Sequence, residues 1–223
     1  MILRILLCLG ILVYASALDW KYREIDDKSW VTPVILGLIF LIHDCLVNEV
    51  GRMFILRMYF ISLGVAIVLA LFLYYTGLMG GGDGKMLIGI ASMFPYFPTK
   101  VFSIFPLFVL SVFSNSVVIS SFIPLIFFIY NLKKKVKPSN AREFFMMFLG
   151  YKRKSSEIRQ FEVVMDKILM KASDIEFGKR EVEGGEVWVT PALPFLIPIT
   201  LGFVVSLLFG DIISIVVVKF LGN

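Results

Sequence analysis

The stretch "LYYTGLMGGGDGKMLIGI", residues 73–90, sets Gly80, Gly81, Gly82 and Asp83 between two apolar runs, with Gly84 and Lys85 directly after. What surrounds this stretch decides the fold class. Hydrophobic residues make up 58% of the 223 and charged residues 17%, against about 25% charge in an average globular chain. That deficit makes a bilayer the natural solvent. A carboxylate within a membrane helix is disfavoured by about 2.5–3.5 kcal/mol at its centre, so Asp83 reads first as a functional residue.

Six apolar segments follow from the roughly 20 residues a spanning helix needs: 1–18, 30–47, 53–78, 86–97, 101–131 and 189–220. The fourth is short and closes on Pro95 and Pro98. The fifth contains Pro106 and Pro124, which predict a kink or a division into two helices. The expected fold is mainly α: a polytopic membrane protein with about six transmembrane helices and a small α+β cytosolic domain before the last. Residues 1–131 would carry helices 1–5, residues 132–188 the cytosolic domain, and residues 189–223 the last helix. Arg4, an apolar core and Ala15-Ser16-Ala17 imitate a secretory signal peptide; the rest of the chain argues for keeping this segment as the first helix.

Counting crossings places Asp19, at the end of segment 1, on the same membrane face as Asp83, at the end of segment 3. The basic loop after segment 5 falls there too. Of the 22 Lys and Arg, 13 lie between Leu132 and Val189, and the positive-inside bias puts that face in the cytoplasm. The basic charge therefore speaks for orientation, with the bilayer as partner and no nucleic acid. Lys133, Lys134, Lys135 and Lys137 read as a headgroup anchor. Within the loop, apolar positions at Ile158, Phe161, Val164, Met165, Ile168 and Leu169 suit an amphipathic helix, although "FEVVM" also passes as a strand. "REVEGGEVWVT" reads as a hairpin around Gly184-Gly185, with Val182 near Val187.

The chemistry narrows by residue type. "GGGDGK" is no phosphate-binding loop, since Met79 and Met86 stand where Gly and Ser or Thr are required. Cys8 and Cys45 lie in apolar runs without a CxxC pair, so no metal site and no disulfide framework is expected. The lone histidine, His43, lies in segment 2 and reads as a packing or helix-end residue. Consecutive glycines let another backbone approach closely and read as an uncrowded strip against which an extended peptide could lie. Two aspartates in one site hold one proton between them. The ionised one can deprotonate water while the protonated one hydrogen-bonds a peptide carbonyl, with no cofactor. The same pair could instead form the relay of a proton- or ion-coupled transporter. No internal repeat is visible, however, and both aspartates sit at helix ends.

"GGGDGKMLIG" resembles the GxGD signature of the type IV prepilin peptidase superfamily. "LDWKYREIDD", with Asp19, Arg23 and Ile25, is similar to that family's first aspartate segment. "EFFMMFLG" and "WVTPALPFLIPITLGF" are similar to archaeal preflagellin (archaellin) peptidases. The resemblance implies a multi-pass GxGD aspartyl protease of the cell membrane, acting on the cytosolic side. Its substrates would be preflagellins or prepilin-like precursors carrying a class III-type leader. It implies Asp19 and Asp83 as catalytic residues and Gly80 and Gly82 as motif glycines; Gly84 and Lys85 flank them as expected support. The cysteine-rich segment of bacterial relatives is missing, so no methyltransferase activity is expected. Pro191-Ala192-Leu193 resembles a string of presenilin-type proteases, but reads first as the approach to the last helix. Asp211 is expected near the outer face in an interfacial or helix-end role.

Overall fold

A computed structural model describes residues 1–165 and 185–221. Three helices open the chain: α1 (Ile2–Tyr22), α2 (Asp27–Val47) and α3 (Arg52–Tyr75). They are followed by α4 (Gly81–Met93), α5 (Phe108–Ser120), α6 (Phe122–Lys133) and α7 (Ala141–Leu149). Strands β1 (Tyr151–Lys154), β2 (Glu162–Val164) and β3 (Glu186–Pro191) precede α8 (Leu196–Phe209) and α9 (Ile212–Leu221). Among the described residues, helices α1, α2 and α3, the run Phe108–Lys133 and the bent pair α8 and α9 are long and apolar enough to cross a membrane, giving four spans or five with the pair.

The chain divides into two compact units, one of Met1–Ile119 with Pro194–Asn223, the other Ser120–Leu193. In the first, α1 turns one stripe inward: Arg4, Cys8, Leu12, Ala15, Ser16 and Asp19 are its buried residues. Their spacing of three and four follows the helical repeat. The Ala15-Ser16-Ala17 string thus lies inside a packed helix. Ser16 donates to the Leu196 carbonyl at 3.1 Å and its hydroxyl meets that of Thr200 at 2.8 Å, which fastens α1 to α8.

Helix α4 is the innermost element. Thirteen residues at 1.5 Å each give about 20 Å, short of a roughly 30 Å hydrocarbon core, so this segment is buried rather than spanning by itself. Its small residues allow close packing. A Cβ on Gly89 would lie 2.7 Å from Pro33 of α2, one on Gly84 would lie 3.0 Å from the Ala70 Cβ of α3, and one on Gly37 would strike the Ser92 backbone at 2.5 Å. Hydroxyls lock the same contacts: the Tyr59 and Ser92 hydroxyls meet at 2.9 Å, and Ser92 donates to the Val34 carbonyl at 3.2 Å. Where lipid removes the hydrophobic incentive for helices to associate, small residues and interhelical hydrogen bonds do this work.

Three expectations for the segments need correction. Residues 94–107 are not helical; α5 starts at Phe108, after Pro106, and the helix breaks at Ser121. Pro124 then stands in the first turn of α6, where its missing N–H is harmless. The last segment does not begin at residue 189, because Val189 pairs with both Tyr151 and Val164 in an antiparallel sheet of order β1-β3-β2. Its helix starts only at Leu196 and bends by 50° between α8 and α9. Gly210 fills that break at a φ of +78°, where an added Cβ would lie 2.1 Å from the Phe102 carbonyl.

Asp211 occupies the same break, fully buried. Its carboxylate accepts from the Ser103 hydroxyl at 2.6 Å, from the Ile104 N–H at 3.2 Å, from the Ser214 N–H at 2.7 Å and from the Ser214 hydroxyl. The bond from the Ser214 N–H is that of an N-cap for α9. The helix-end role expected for Asp211 is observed, in a buried setting.

In the second unit, Met146, Met147 and Trp188 form a small core with Phe128, Val136 and Met165 beside it. The amphipathic helix expected from Ile158 gives way to β2, the strand alternative. Ile168, Leu169, Val182 and Gly184 lie outside the described residues.

Candidate active site

Asp19 closes the buried stripe of α1, and α1 ends three residues later. Arg23 then takes a left-handed conformation, φ 58° and ψ 23°, its N–H bonded to the Asp19 carbonyl at 3.0 Å. Such a conformation is uncommon for a residue with a side chain. It reverses the chain so that Ile25 folds back over the start of α4. The contact is tight: a Cβ on Gly82 would lie 2.3 Å from Ile25 Cδ1. Gly82 is therefore the motif glycine with a steric reason to be glycine.

The glycines are not the non-helical gap expected from sequence. Gly80 is the N-cap of α4, and Gly81, Gly82 and Asp83 form its first turn. The Asp83 carboxylate lies against Gly80: a Cβ there would be 3.3 Å from its Oδ2. The third helical residue thus turns back toward the N-cap, as in a capping box. The helix N-terminus also sets a partial positive charge beside Asp83.

Asp19 has a parallel setting. Its carboxylate lies near the backbone of Leu196, the first residue of α8, and feels the charge of Arg23. Each aspartate thus lies beside a helix N-terminus, where backbone amides are free. The two carboxylates lie within electrostatic reach of each other and line one cavity of roughly 370 Å³.

Gly80, Gly81 and Gly82 line the same cavity, with Trp30 and Lys85 at its side. Gly84 lies behind it, against Ala70. Lys85 does not pair with Asp83. Its ammonium bonds Asp27 at 3.1 Å and sits 5.2 Å from the centre of the Trp30 ring, while the Trp30 indole donates to Asp27 at 2.9 Å. Lys85 thus joins α4 to the start of α2 at the cavity's edge. His43 is exposed and 3.4 Å from Asp44, away from this cavity.

Sequence reasoning missed two contributors. Trp30 was read only as the start of a segment, although a tryptophan three residues after Asp27 on one helix face was visible. The start of α8 was read as the approach to a helix, whereas Leu196 reaches Asp19. Nothing in the local pattern at residues 191–196 announces that long-range contact. Chemically, the cavity offers two carboxylates with unfilled lone pairs, backbone amides nearby, and a floor of glycine that admits a peptide.

Known proteins resemble this chain over most of its length. The sequence model of the type IV leader peptidase family matches residues 6–132. A second model, Archaeal Peptidase A24 C-terminus Type II, matches residues 175–212. A preflagellin peptidase of Methanocaldococcus jannaschii is 33% identical over 91% of this chain and 92% of its own length. One of Methanococcus maripaludis is 31% identical over 90% and 92%. A third, of Methanococcus voltae, is 28% identical over 93% and 95%.

Proposed function

The chain belongs to the type IV leader peptidase family and is a peptidase, and from that premise we propose that it cuts the short leader from preflagellin at the Asp19–Asp83 cavity. The observation that carries the reading is the pairing of two carboxylates on one cavity, each beside a helix N-terminus and each left with open lone pairs. The names of the relatives support preflagellin as substrate. They lend nothing to the transporter reading.

The mechanism follows from the pair. Two carboxylates that line one cavity and feel each other's charge would hold one proton between them. The ionised partner takes a proton from a water molecule as the water oxygen attacks the scissile carbonyl carbon. The protonated partner donates to the carbonyl oxygen, which becomes the second hydroxyl of a tetrahedral intermediate. Collapse breaks the C–N bond: the carboxyl proton passes to the departing amine nitrogen while one hydroxyl of the intermediate gives its proton to the ionised carboxylate, so the dyad again holds one shared proton. Gly80 and Gly82 contribute backbone without side chains, so that an extended leader junction can lie across the α4 N-terminus. Asp19 and Asp83 are the proposed catalytic residues. Arg23 and the start of α8 are proposed to position Asp19.

We further propose that the cavity faces the cytoplasm of a multi-pass cell-membrane protein. The concentration of Lys and Arg between Leu132 and Val189 supports that orientation. Prepilin-like precursors with the same leader chemistry are proposed as additional substrates. Co-expression with one preflagellin and one prepilin, each with its leader, tests the assignment by size shift. Shortening of the preflagellin is expected; failure to shorten either precursor would contradict the reading.

A further inference from the structure

The second unit holds a cavity of its own, of roughly 540 Å³, which the peptidase reading does not use. Two stretches of chain line it. One is the end of α6 and its exit, with Asn131, Lys134, Lys135 and Lys137; the other is β1, with Lys152, Arg153 and Lys154. Glu157 and Glu186 are the acidic residues on its wall.

The cations are not equivalent. Lys152 is held by Glu143 at 3.3 Å, and Arg153 by Glu162 at 3.3 Å. These two are occupied in fixing the sheet. Lys134, Lys135, Lys137 and Lys154 are exposed, and no ion pair engages them among the described residues. Burial, and then its bond to Glu162, push the Tyr151 hydroxyl up to about 12, so it stays neutral on the cavity wall.

Two features mark the cavity as built rather than incidental. Lys135 has a φ of +56°, at the exit of α6 where the Lys135 N–H bonds the Leu132 carbonyl and the Val136 N–H bonds the Asn131 carbonyl. This double closure usually carries glycine, yet a lysine stands there. Asn131 is fully buried and fixes the wall from behind: its amide nitrogen donates to the Met147 and Gly150 carbonyls.

The location narrows the ligand. Along α6 the exposed apolar side chains are Phe122, Leu125, Ile126, Ile129, Tyr130 and Leu132, a face suited to lipid tails. The cavity lies where that apolar face ends and the lysines begin, as a headgroup site would require. We propose that this cavity binds the phosphate of an anionic lipid headgroup, with the exposed lysines on the phosphate.

The test uses the full-length protein in nonionic detergent, with phosphatidylglycerol, phosphatidylcholine, glycerol phosphate or inorganic phosphate added at equal phosphate concentration. Lipid adducts are read by native mass spectrometry. Wild type should retain phosphatidylglycerol, and Lys135→Gln/Lys154→Gln should retain it on the order of 10-fold less well. Lys133→Gln/Arg159→Gln loses the same charge outside the cavity and should behave as wild type. An equal loss in that control would reduce the site to diffuse surface attraction and overturn the proposal. Saturation by inorganic phosphate or glycerol phosphate with equal affinity would make the ligand a soluble phosphate and overturn the lipid assignment. Equal retention of phosphatidylcholine would overturn the requirement for an anion.

Discussion

Asp211 and the Asp19–Asp83 pair are carboxylates in the same helical unit, with opposite surroundings. Asp211 accepts from two hydroxyls and two backbone amides, three of them on Oδ2 and one on Oδ1. It caps α9 across a broken helix. Asp19 and Asp83 each lie beside a helix N-terminus and open onto shared space. The difference separates a carboxylate that finishes a fold from a pair that can still exchange protons with a substrate. Burial alone does not separate them, since Asp19 and Asp211 are both buried.

The largest effect expected is on the pair itself. Asp19→Asn, Asp83→Asn and the double variant should each lower cleavage by roughly 10²–10⁴-fold. The double should fall no further than the worse single, because the two act as a unit. Initial rates on a purified precursor measure this. Multiplicative losses would break the idea of a shared proton. Next comes Asp211→Ala, which removes the acceptor of four hydrogen bonds and leaves the buried Ser214 N–H without its partner. It should lower stability by about 3 kcal/mol in thermal unfolding, while the folded fraction keeps its cleavage rate within a few-fold.

Gly82→Ala tests the packing that sets the cavity. The new methyl meets Ile25, and activity should fall by up to about 10²-fold, as for a misplacement near 1 Å. Ile25→Ala in the same chain should restore most of it, since the clash is with the far end of that side chain. The smallest effect belongs to the tether between α1 and α8. Thr200→Val removes one hydroxyl from Ser16 and should cost about 1 kcal/mol of stability. Cleavage should drop only a few-fold, through kcat rather than KM, if α8 positions Asp19 without touching substrate.

Much of the helical frame was legible in residues. Long apolar runs announce α1, α2 and α3 because membrane thickness sets their length, and crossing parity alone brought Asp19 and Asp83 to one face. What escaped was decided by contacts between distant segments. Gly80 to Asp83 read as a gap because glycine is a poor helix former, yet Asp83 stands in the first turn of the helix those glycines begin. Pro106 and Pro124 read as a kink or a division of the fifth segment; the helix does divide at Ser121, and each proline stands at or near a helix start, where it does no harm. Val189 read as apolar and therefore membranous, but an alternating strand paired on both sides buries the same residue in a sheet. The approach of Leu196 to Asp19 joins opposite ends of the chain and has no local signature.

The most direct measurement sets the two kinds of carboxylate against each other on one substrate. Membranes carrying wild type, Asp83→Asn or Asp211→Asn at matched protein levels are mixed with a preflagellin that retains its leader, and the size of the product is read on a gel. The precursor should stay at full length with Asp83→Asn and be shortened by wild type and by Asp211→Asn. Shortening by Asp83→Asn at the wild-type rate would contradict the two-aspartate account.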